Sequence, residues 1–500
     1  MHLRACFAIT IALALASEAV NPGIRLRLTD KGLQYVASIG VEVLKEKLNS
    51  LTIPDIHGDA GTPVGHISYD LTSVKITSLS LPSYSLKPVA NVGLQFAVSG
   101  VSVALSGHWH YREDHWPHIS DSGSVDVSAS GISFSVSVAL GADSKGRPTV
   151  SAAGCSCSIG SVSITLHGGA SWLYNLFDHE IEGKIKSALQ SQLCSAAKDS
   201  INNQGAKALA NFPTTRKLDK FSEINYSLVQ KPAPTAAFLD VMIKGEFESA
   251  VHPVEAPFSP APLPADTADK YMVYVWLTDY VINTAGLVYM KSGFMNRTVT
   301  QADLPKDFKF PLNTNTFKVI VYQLYNKYPD RPVRLKVYPT QSPAISSDVG
   351  GVNVSLVGHV EFYVDLQNGS SVFAFSLGLN IAATAQIAIK DTNLTVHASF
   401  VKVDPSLVKS AIGNIEPNIN LMKMFLNSFV DKLIINELNK YGDQGFPLPM
   451  IDGGKLVSPQ ISSGKHFTLV SSNVDYHPSD TQDLDEISQE FGDRRFIKIV

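Results

Sequence analysis

The sequence is poor in charge of either sign. Only 17% of its 500 residues are charged, and 41 lysines and arginines face 45 acidic residues, which leaves a formal net charge of −4. A protein that binds nucleic acid needs a basic surface, so this balance argues against that class. The low charge, together with 44% hydrophobic residues, 34 glycines and 27 prolines, is typical of a globular protein rich in strands.

Catalytic motifs and long apolar runs are also missing. The chain contains no G-x-S-x-G, no H-E-x-x-H and no phosphate-binding P-loop, so no motif predicts an enzyme or a cofactor. After residue 19, no apolar run reaches the length of a membrane span. A chain of 500 residues is too long for one core, so we expect about two or more domains.

The first nineteen residues predict a secretion signal rather than a part of the fold. Arg4 precedes an apolar run at 5–16, and Ser17 and Ala19 suit cleavage after Ala19, with 14–16 as a second site. Five N-x-S/T sequons agree with the secretory route, so we expect a soluble, secreted glycoprotein. The sequons begin at Asn225, Asn296, Asn353, Asn368 and Asn393.

Cysteine is scarce, and an odd number remains after the signal. Cys155, Cys157 and Cys194 leave one free thiol if two of them pair in an oxidising compartment. A bond between Cys155 and Cys157 would be strained, because only one residue separates them. A bridge from either of them to Cys194 would connect a strand to a helix. A zinc site is less favoured, because the chain has no second closely spaced pair.

One strand-and-helix pattern occurs twice. Ile24, Leu26 and Leu28 alternate with two arginines, which indicates a half-buried strand, and apolar residues then recur at helical spacing up to residue 48. Residues 273–291 repeat this order, and Leu-Thr-Asp stands at the same point of both copies, at 28–30 and at 277–279. The matching elements on both sides of that triplet favour an internal duplication.

Residues 50–165 predict antiparallel sheet. The apolar alternation changes phase at Gly100 and again at Gly131, which indicates bends within the long strands of a strongly twisted sheet or barrel. A second helix is expected to begin at Ser171, with an apolar face that packs on the barrel and leaves room for a lipid tail. That face consists of Trp172, Leu176, Phe177, Ile181, Ile185, Leu189 and Leu193.

The second half is predicted to repeat the first after a connector. Residues 230–265 contain seven prolines, which is typical of an extended segment. Residues 479–500 are interpreted as a polar tail of unknown role. Between these segments, strands are expected at 333–338, 352–356, 360–366, 372–381, 385–390 and 394–403, and a helix near 418–440.

Five stretches resemble the family of bactericidal/permeability-increasing protein and lipopolysaccharide-binding protein, which also includes plasma phospholipid and cholesteryl ester transfer proteins. They follow the family's order across nearly the whole mature chain. The stretches are VNPGIRLRLTDKGLQYV (20–36), GGASWLYNLF (168–177), LDVMIKGEFES (239–249), MVYVWLTDYVINTAGLVYMKSG (272–293) and GFPLP (445–449).

The resemblance implies an α+β, boomerang-shaped protein of two domains. Each half would be a twisted antiparallel barrel holding two helices, and a central sheet would join the halves. The expected parts are a signal peptide (1–19), an N-terminal lipid-binding barrel (20–229), a proline-rich connector with the central sheet (230–265), a C-terminal lipid-binding barrel (266–478) and the tail (479–500).

The resemblance also implies one apolar pocket for phospholipid tails in each barrel, and a disulfide between Cys155 and Cys194 that leaves Cys157 free. The residues expected near the first pocket are Leu28, Leu33, Val36, Leu44, Trp172, Leu176 and Phe177. The residues expected near the second pocket are Leu277, Val281, Met422, Phe425 and Phe429.

The tip of the first barrel departs from the family's endotoxin-binding members, which carry lysine-rich loops there. Residues 106–118 read SGHWHYREDHWPH, and residues 51–120 contain three cations against five carboxylates. Strong contacts with lipid A phosphates need fixed positive charge, so we expect the histidines to bind anionic lipid more strongly as pH falls. A metal site on His108 and His110 is a less favoured alternative. The expected contact residues are His108, Trp109, His110, Arg112, His115, Trp116 and His118.

The sequence therefore predicts a secreted lipid-binding protein of innate immunity. We expect it to bind lipopolysaccharide and phospholipid of Gram-negative bacteria, with antibacterial action as a further expectation. The alternative is a phospholipid carrier without bactericidal action, and an enzyme is the least favoured class. The expected partners are phospholipid, the lipid A part of lipopolysaccharide and the bacterial outer membrane surface. We expect a monomer, with no nucleic-acid partner and no cofactor.

Overall fold

The fold is a mixed α+β arrangement dominated by antiparallel strands, as the resemblance implies. The computed structural model describes residues 21–49, 53–62, 65–116, 118–169, 178–210, 214–391, 393–448 and 454–477. The expectations for the signal, for Trp172, Leu176 and Phe177, and for the tail lie outside these residues. No helix within the described ranges is both long and apolar enough to cross a membrane.

The N-terminal half begins with the predicted strand and helix, β1 (Ile24–Thr29) and α1 (Asp30–Asn49). The buried face of α1 includes Leu33, Ala37 and Val41, as the helical spacing predicts. Seven strands follow: β2 (Ile56–Thr62), β3 (Gly65–Ser80), β4 (Ser83–Val89), β5 (Gly93–Glu113), β6 (Ser120–Ala142), β7 (Pro148–Ser158) and β8 (Ser161–His167). Helix α2 (Asp178–Asp199) then continues through a π-helical turn at Ser200–Gly205 into α3 (Ala206–Ala210).

The strands of this half form one antiparallel sheet in the order β2-β3-β5-β6-β7, with β4 paired to β5 and β8 paired to β6. The predicted bends are confirmed, because Gly100 and Gly131 adopt φ values of +70° and +63° within β5 and β6. The register between these strands shifts between Val98 and Val103, beside both glycines. Only glycine adopts such φ values without strain, so these two positions let each long strand turn its apolar face.

Helix α2 bridges the two ends of this sheet. Its Lys184 Nζ donates to the carbonyl of His57 on β2 at 2.9 Å, and Gln190 Nε2 donates to the carbonyl of Cys157 on β7 at 3.2 Å. Its inner face buries Ile181, Ile185 and Leu189, three of the residues that the sequence predicts there. The helix therefore covers the opening between β2 and β7 and completes the core of this half.

The middle of the chain contributes short strands to two sheets. Strands β9, β10 and β13 form a sheet of their own, while β11 and β12 join a larger central sheet. These elements are β9 (Thr215–Lys217), β10 (Ser222–Asn225), β11 (Ala233–Pro234), β12 (Phe238–Ile243) and β13 (Glu246–Ser249).

The C-terminal half repeats the strand-and-helix start and then builds a second antiparallel sheet in the order β15-β16-β18-β19-β20-β21, with β17 paired to β18. Helices α6 and α7 are joined by a second π-helical turn, Val430–Ile435. The elements are β14 (Val273–Thr278), α4 (Asp279–Lys291), β15 (Arg297–Val299), α5 (Tyr322–Lys327), β16 (Val333–Pro339), β17 (Ala344–Asp348), β18 (Gly351–Asp365), β19 (Ser371–Lys390), β20 (Asn393–Ser410), α6 (Ile419–Phe429), α7 (Asn436–Gly442), β21 (Phe446–Pro447), β22 (Gly454–Gly464) and β23 (Phe467–Tyr476).

Two predicted strand breaks in this half are wrong. The separate strands expected at 352–356 and 360–366 are one strand, β18, and those at 372–381 and 385–390 are one strand, β19. Gly358 lies within β18 and does not end it. A Cβ at this position would lie 2.6 Å from the carbonyl oxygen of Tyr338, so the glycine permits close contact between the two strands. In β19 the register shifts at Ala382/Ala383, so a bulge rather than a turn interrupts the alternation.

The two copies of the repeat lie side by side at the centre of the molecule. The central sheet has the order β11-β12-β1-β14-β23-β22, and β1 pairs antiparallel with β14. Ile24 pairs with Leu277, and Leu28 pairs with Val273. The first residue of each strand therefore lies opposite the last apolar residue of the other strand. The flanking bonds are reciprocal too, because Thr29 N donates to the Met272 carbonyl and Thr278 N to the Gly23 carbonyl. This pairing has local pseudo-twofold symmetry, which supports an internal duplication.

The two arginines of β1 are buried, although the alternating pattern predicts a half-buried strand. Arg27 is 2% exposed and donates Nε and Nη2 to the two carboxylate oxygens of Asp240, at 2.7 and 2.9 Å. Its Nη1 donates to the carbonyl of Asp266, and Arg25 Nη1 donates to that of Pro264. The proline-rich connector therefore runs along β1 and covers its polar face, which the periodicity of β1 alone does not reveal.

Candidate functional site

A cavity of about 560 Å³ lies in the C-terminal half. It opens between the strands β15, β16, β18 and β19 on one side and the π-helical turn with α7 on the other. A volume of this size falls in the usual range of ligand pockets, roughly 300–1,000 Å³. Its apolar lining includes Val299, Val337, Leu356, Leu379, Ile381, Phe429, Leu433 and Leu438.

The helical wall of this cavity owes its position to two local features. Phe429, at the end of α6, is fully buried and stacks on Phe425 at a ring distance of 5.9 Å, which anchors the helix in the core. The π-helical turn follows directly, and such turns are frequent at functional sites. Further on, the Asn439 side chain bonds the backbone N–H and C=O of Ala398 on β20, at 2.8 and 2.9 Å. Leu433 and Leu438 thereby face the cavity from a wall that is fixed at both ends.

Charged side chains gather at the mouth of the cavity. Arg297 on β15 donates from Nη2 to Glu437 on α7 at 3.3 Å, and Lys440 pairs with the other oxygen of Glu437 at 2.7 Å. Asp303 is held by the N–H and hydroxyl of Thr300, which lowers the pKa of its carboxyl. An apolar interior with a polar, partly exposed mouth suits an amphipathic molecule.

The residues predicted near this second pocket divide between its lining and the surrounding cores. Phe429 lines the cavity. Met422 and Phe425 lie in the packed core behind it, and Leu277 and Val281 lie in the core of the central sheet. The charged residues of the mouth escaped the sequence reasoning, because β15 and α7 are more than a hundred residues apart and no motif connects them.

The N-terminal half contains a much smaller gap, about 30 Å³, between α1, α2 and the sheet. Leu44 lines it, together with Leu48, Leu189 and Leu193. The structure places the other predicted residues around a neighbouring cluster, in which Leu33 and Ala37 pack with Leu86 and partly buried Leu28. Val36 is 45% exposed. A gap of this size is smaller than an acyl chain.

A disulfide connects β7 to α2 beside this gap. It joins Cys155 to Cys194, which is the pairing that the resemblance implies, and leaves Cys157 as a half-buried free thiol. Burial raises the pKa of Cys157, so this thiol is held in its less reactive protonated form. The bond restrains α2 at the end that lines the gap.

The predicted tip residues lie at the far end of the N-terminal half, on β5 and in the turn that follows it. His108, His110 and Arg112 alternate along β5 and face the outside of the sheet. The imidazole of His57 donates to Asp70, which holds the pKa of that carboxyl below its ordinary value, and His110 lies 3.6 Å from the same carboxylate. No group of three or more His, Cys, Asp or Glu side chains in the described part of the chain is arranged to hold a metal ion.

The two tryptophans of this region have different surroundings. Trp109 is only 6% exposed, stacks on Tyr111 and donates Nε1 to the carbonyl of His167 at 3.3 Å. It points inward because it alternates with the outward histidines, so it packs in the core and not at the surface. Trp116, in contrast, is 87% exposed in the turn, and Ile119 beside it is 57% exposed. The surface-accessible apolar groups of the tip are therefore Trp116 and Ile119.

Comparisons with known proteins agree with this architecture. The sequence profiles of the LBP / BPI / CETP family match residues 32–204 with their N-terminal domain and residues 216–476 with their C-terminal domain. The chain belongs to the LBP / BPI / CETP family. It is 34% identical over 480 residues to the lipopolysaccharide-binding protein of Homo sapiens, which covers 95% of this chain and 98% of that protein. It is 28% identical over 472 residues to the bactericidal permeability-increasing protein of Sebastes schlegelii, covering 94% and 99%.

A solved structure of this family shows the same fold. A crystal structure of lipopolysaccharide binding protein matches with a TM-score of 0.66 and 31% identity, and the match covers 92% of this chain and 100% of that chain. The family assignment and the α+β fold that the sequence resemblance implies are thus confirmed.

The five predicted glycosylation sites differ in their surroundings. Asn296, Asn353 and Asn368 are exposed. Asn225 is half-buried within β10, where its Nδ2 donates to Glu248 at 2.9 Å, and Asn393 donates to the carbonyl of Gln444 at 3.4 Å. Attachment of a sugar at either of these two residues would replace that hydrogen bond. Asn296 lies next to Met295 and Arg297, which line the cavity mouth.

Proposed function

We propose that this chain is a secreted lipid-binding protein of innate immunity that binds lipopolysaccharide and phospholipid. The observation that carries the proposal is the apolar cavity of about 560 Å³ with charged groups at its mouth. The names of its relatives, lipopolysaccharide-binding protein and bactericidal permeability-increasing protein, support the same class of ligand. The proposal includes activity against bacteria, because the second of these relatives is named a bactericidal protein.

The division of the cavity into an apolar interior and a polar mouth supports a lipid rather than a water-soluble ligand. Acyl chains would pack against the interior, and each buried methylene contributes roughly 0.8 kcal/mol to binding. The headgroup would stay at the mouth, where Arg297, Glu437 and Lys440 remain partly exposed to water. The cavity has the volume and lining that a bound lipid needs, and we propose a binding role rather than a catalytic one.

Uptake of a fluorescent phospholipid from vesicles tests the proposal. Leu433→Trp should fill part of the cavity, so the saturating stoichiometry should fall by about one lipid per protein. Val319→Trp is the matched control, because Val319 is 87% exposed outside the cavity and should leave uptake unchanged. A wild-type protein that takes up no phospholipid, or an unchanged stoichiometry in a folded Leu433→Trp variant, would contradict the proposal.

A second candidate, a phospholipid carrier without bactericidal action, is favoured by the charge of the N-terminal tip. Asp70, Glu113 and Asp114 surround the histidines there, and residues 51–120 carry only three lysines and arginines. This surface lacks the fixed cations that bind lipid A phosphates strongly. Competition between lipopolysaccharide and phosphatidylcholine separates the two candidates, because a carrier should be displaced from phosphatidylcholine only weakly by lipopolysaccharide.

A further inference from the structure

We propose that the C-terminal cavity selects a lipid with an anionic phosphate headgroup, and that Arg297 is the residue that sets this selectivity. The inference rests on the proposed function and concerns which headgroup that site prefers. Five charged side chains line the cavity, of which three are basic and two are acidic. The basic residues are Arg297, Lys432 and Lys440, and the acidic residues are Asp303 and Glu437.

One of the two carboxylates is committed to local structure. Asp303 accepts both the backbone N–H and the hydroxyl of Thr300, at 2.8 and 2.7 Å, and this capping box occupies one of its oxygens. Glu437 is the other carboxylate, and it is shared between Arg297 and Lys440. Lys432 lies 3.7 Å from Asp307, a carboxylate outside the lining that offsets its charge. Arg297 and Lys440 thus share the single carboxylate of Glu437, and a phosphate of charge −1 would supply the second negative charge for this pair.

Arg297 is positioned for a phosphate before any ligand arrives. Its guanidinium lies 5.3 Å over the ring of Phe294, which is itself packed against Phe221, Tyr289 and Tyr441 at ring distances of 5.2 to 5.4 Å. Within the described residues, only Nη2 of this side chain has a protein hydrogen-bond partner, and that bond to Glu437 is long, at 3.3 Å. The remaining N–H groups can donate two parallel bonds to a phosphate, which arginine does better than lysine.

A zwitterionic headgroup fits this mouth less well. The quaternary ammonium of phosphatidylcholine would add a third positive charge beside Arg297 and Lys440, which already share Glu437. Phosphatidylglycerol presents the same phosphate without the ammonium, so it should bind in preference. Because the mouth is half exposed to water, the preference should be modest, about fivefold.

The test offers the purified full-length protein an equimolar mixture of phosphatidylglycerol and phosphatidylcholine vesicles and identifies the bound lipid by mass spectrometry. The lipid bound by the wild-type protein beyond the amount bound by the Leu433→Trp variant is the lipid that occupies this cavity. In wild type it should be mainly phosphatidylglycerol, and in Arg297→Gln the two lipids should be bound about equally. Lys402→Gln is the matched control, since Lys402 pairs with Asp404 outside the cavity, and its preference should be that of wild type.

Four outcomes would overturn the inference. Equal binding of both lipids by wild type would refute the headgroup selectivity and leave the proposed function intact, whereas a protein with no bound lipid would refute both. An unchanged preference in Arg297→Gln would show that Arg297 does not set it. Inorganic phosphate should not displace the bound lipid, because the acyl chains supply most of the affinity, and displacement would show that the site binds the free anion instead.

Discussion

At the scale of single residues, the buried pair of Arg27 and Asp240 lies at the junction between the halves. Arg27 bonds both oxygens of Asp240, donates to the carbonyl of Asp266 directly after the connector, and lies 3.4 Å over the ring of Phe238. Both side chains are less than a tenth exposed, so removal of either charge leaves the other buried without a partner. The pair therefore joins β1, β12 and the connector in one arrangement.

Arg27→Met should lower the free energy of unfolding by about 3–5 kcal/mol, because the carboxylate of Asp240 loses its partner in a buried place. The double variant Arg27→Met/Asp240→Leu should recover much of that loss, since no unpaired charge remains. Denaturation by urea, followed by tryptophan fluorescence, measures both. A single variant as stable as wild type would show that water reaches Asp240 and that the pair is not buried in solution.

The disulfide gives a second prediction at this scale. Cys194→Ser should destabilise the N-terminal half by about 2–5 kcal/mol, because the bond restrains the unfolded chain across residues 155–194. Cys157→Ser removes a free thiol and should change stability little. Thermal unfolding compares the two variants, and peptide mapping without reduction checks the pairing. A main species that links Cys157 to Cys194 would disprove the assignment.

At the scale of elements, the tip formed by β5 and its following turn should bind anionic membranes more strongly in acid. His108, His110, His115 and His118 are exposed there, and histidine is the side chain that typically gains positive charge in mildly acidic solution. An anionic surface favours the charged form, so binding should rise as pH falls and be lost as pH rises. Asp70 lies 3.6 Å from His110, and Glu113 and Asp114 lie in the same part of the chain, so these carboxylates should weaken binding at neutral pH.

Sedimentation with anionic vesicles between pH ~5.5 and ~7.5 measures this dependence. Replacement of the four histidines by alanine should flatten the curve, and His477→Ala, on an exposed residue of the central region, serves as the control. Trp116→Ser should weaken binding at every pH, because Trp116 is the exposed tryptophan of the tip. A flat wild-type curve, or an unchanged curve in the four-histidine variant, would rule out the tip as a pH-dependent membrane contact.

Elements with a clear period were predictable from the sequence, whereas contacts between distant segments were not. The helical face of α1 and the glycine bends in β5 and β6 follow from local spacing and backbone sterics. The burial of Arg25 and Arg27 does not, because it depends on a connector more than two hundred residues away. The inward position of Trp109 could be predicted from the sequence, because this residue alternates with outward histidines on one strand.

The cavity mouth shows why the candidate site was harder to predict than the fold. Arg297, Tyr338 and Glu437 come from β15, β16 and α7, and each is ordinary in its own sequence context. Burial and a hydrogen bond to Glu361 raise the pKa of Tyr338, an effect that exists only once the strands are paired. Phe429 was predicted because helical spacing alone directs it inward.

At the scale of the whole molecule, two copies of one unit meet at a pseudo-twofold junction and differ in their interiors. The pairing of β1 with β14 is symmetric, and each half contains two helices joined by a π-helical turn. The cavity of the C-terminal half encloses about 560 Å³, whereas the gap of the N-terminal half encloses about 30 Å³. The two halves thus have similar elements at the junction but cavities of different volume. We therefore expect the C-terminal half to bind a lipid more readily than the N-terminal half.

The most direct test of lipid binding is the phospholipid content of the protein purified from culture medium. Organic extraction and mass spectrometry should find about one phospholipid bound in the C-terminal cavity, and a second one if α1 and α2 separate in the N-terminal half. The Leu433→Trp variant should lose the first of these, whereas Val319→Trp should keep it. A folded wild-type protein that carries no phospholipid, and that takes up none when mixed with vesicles, would contradict the account.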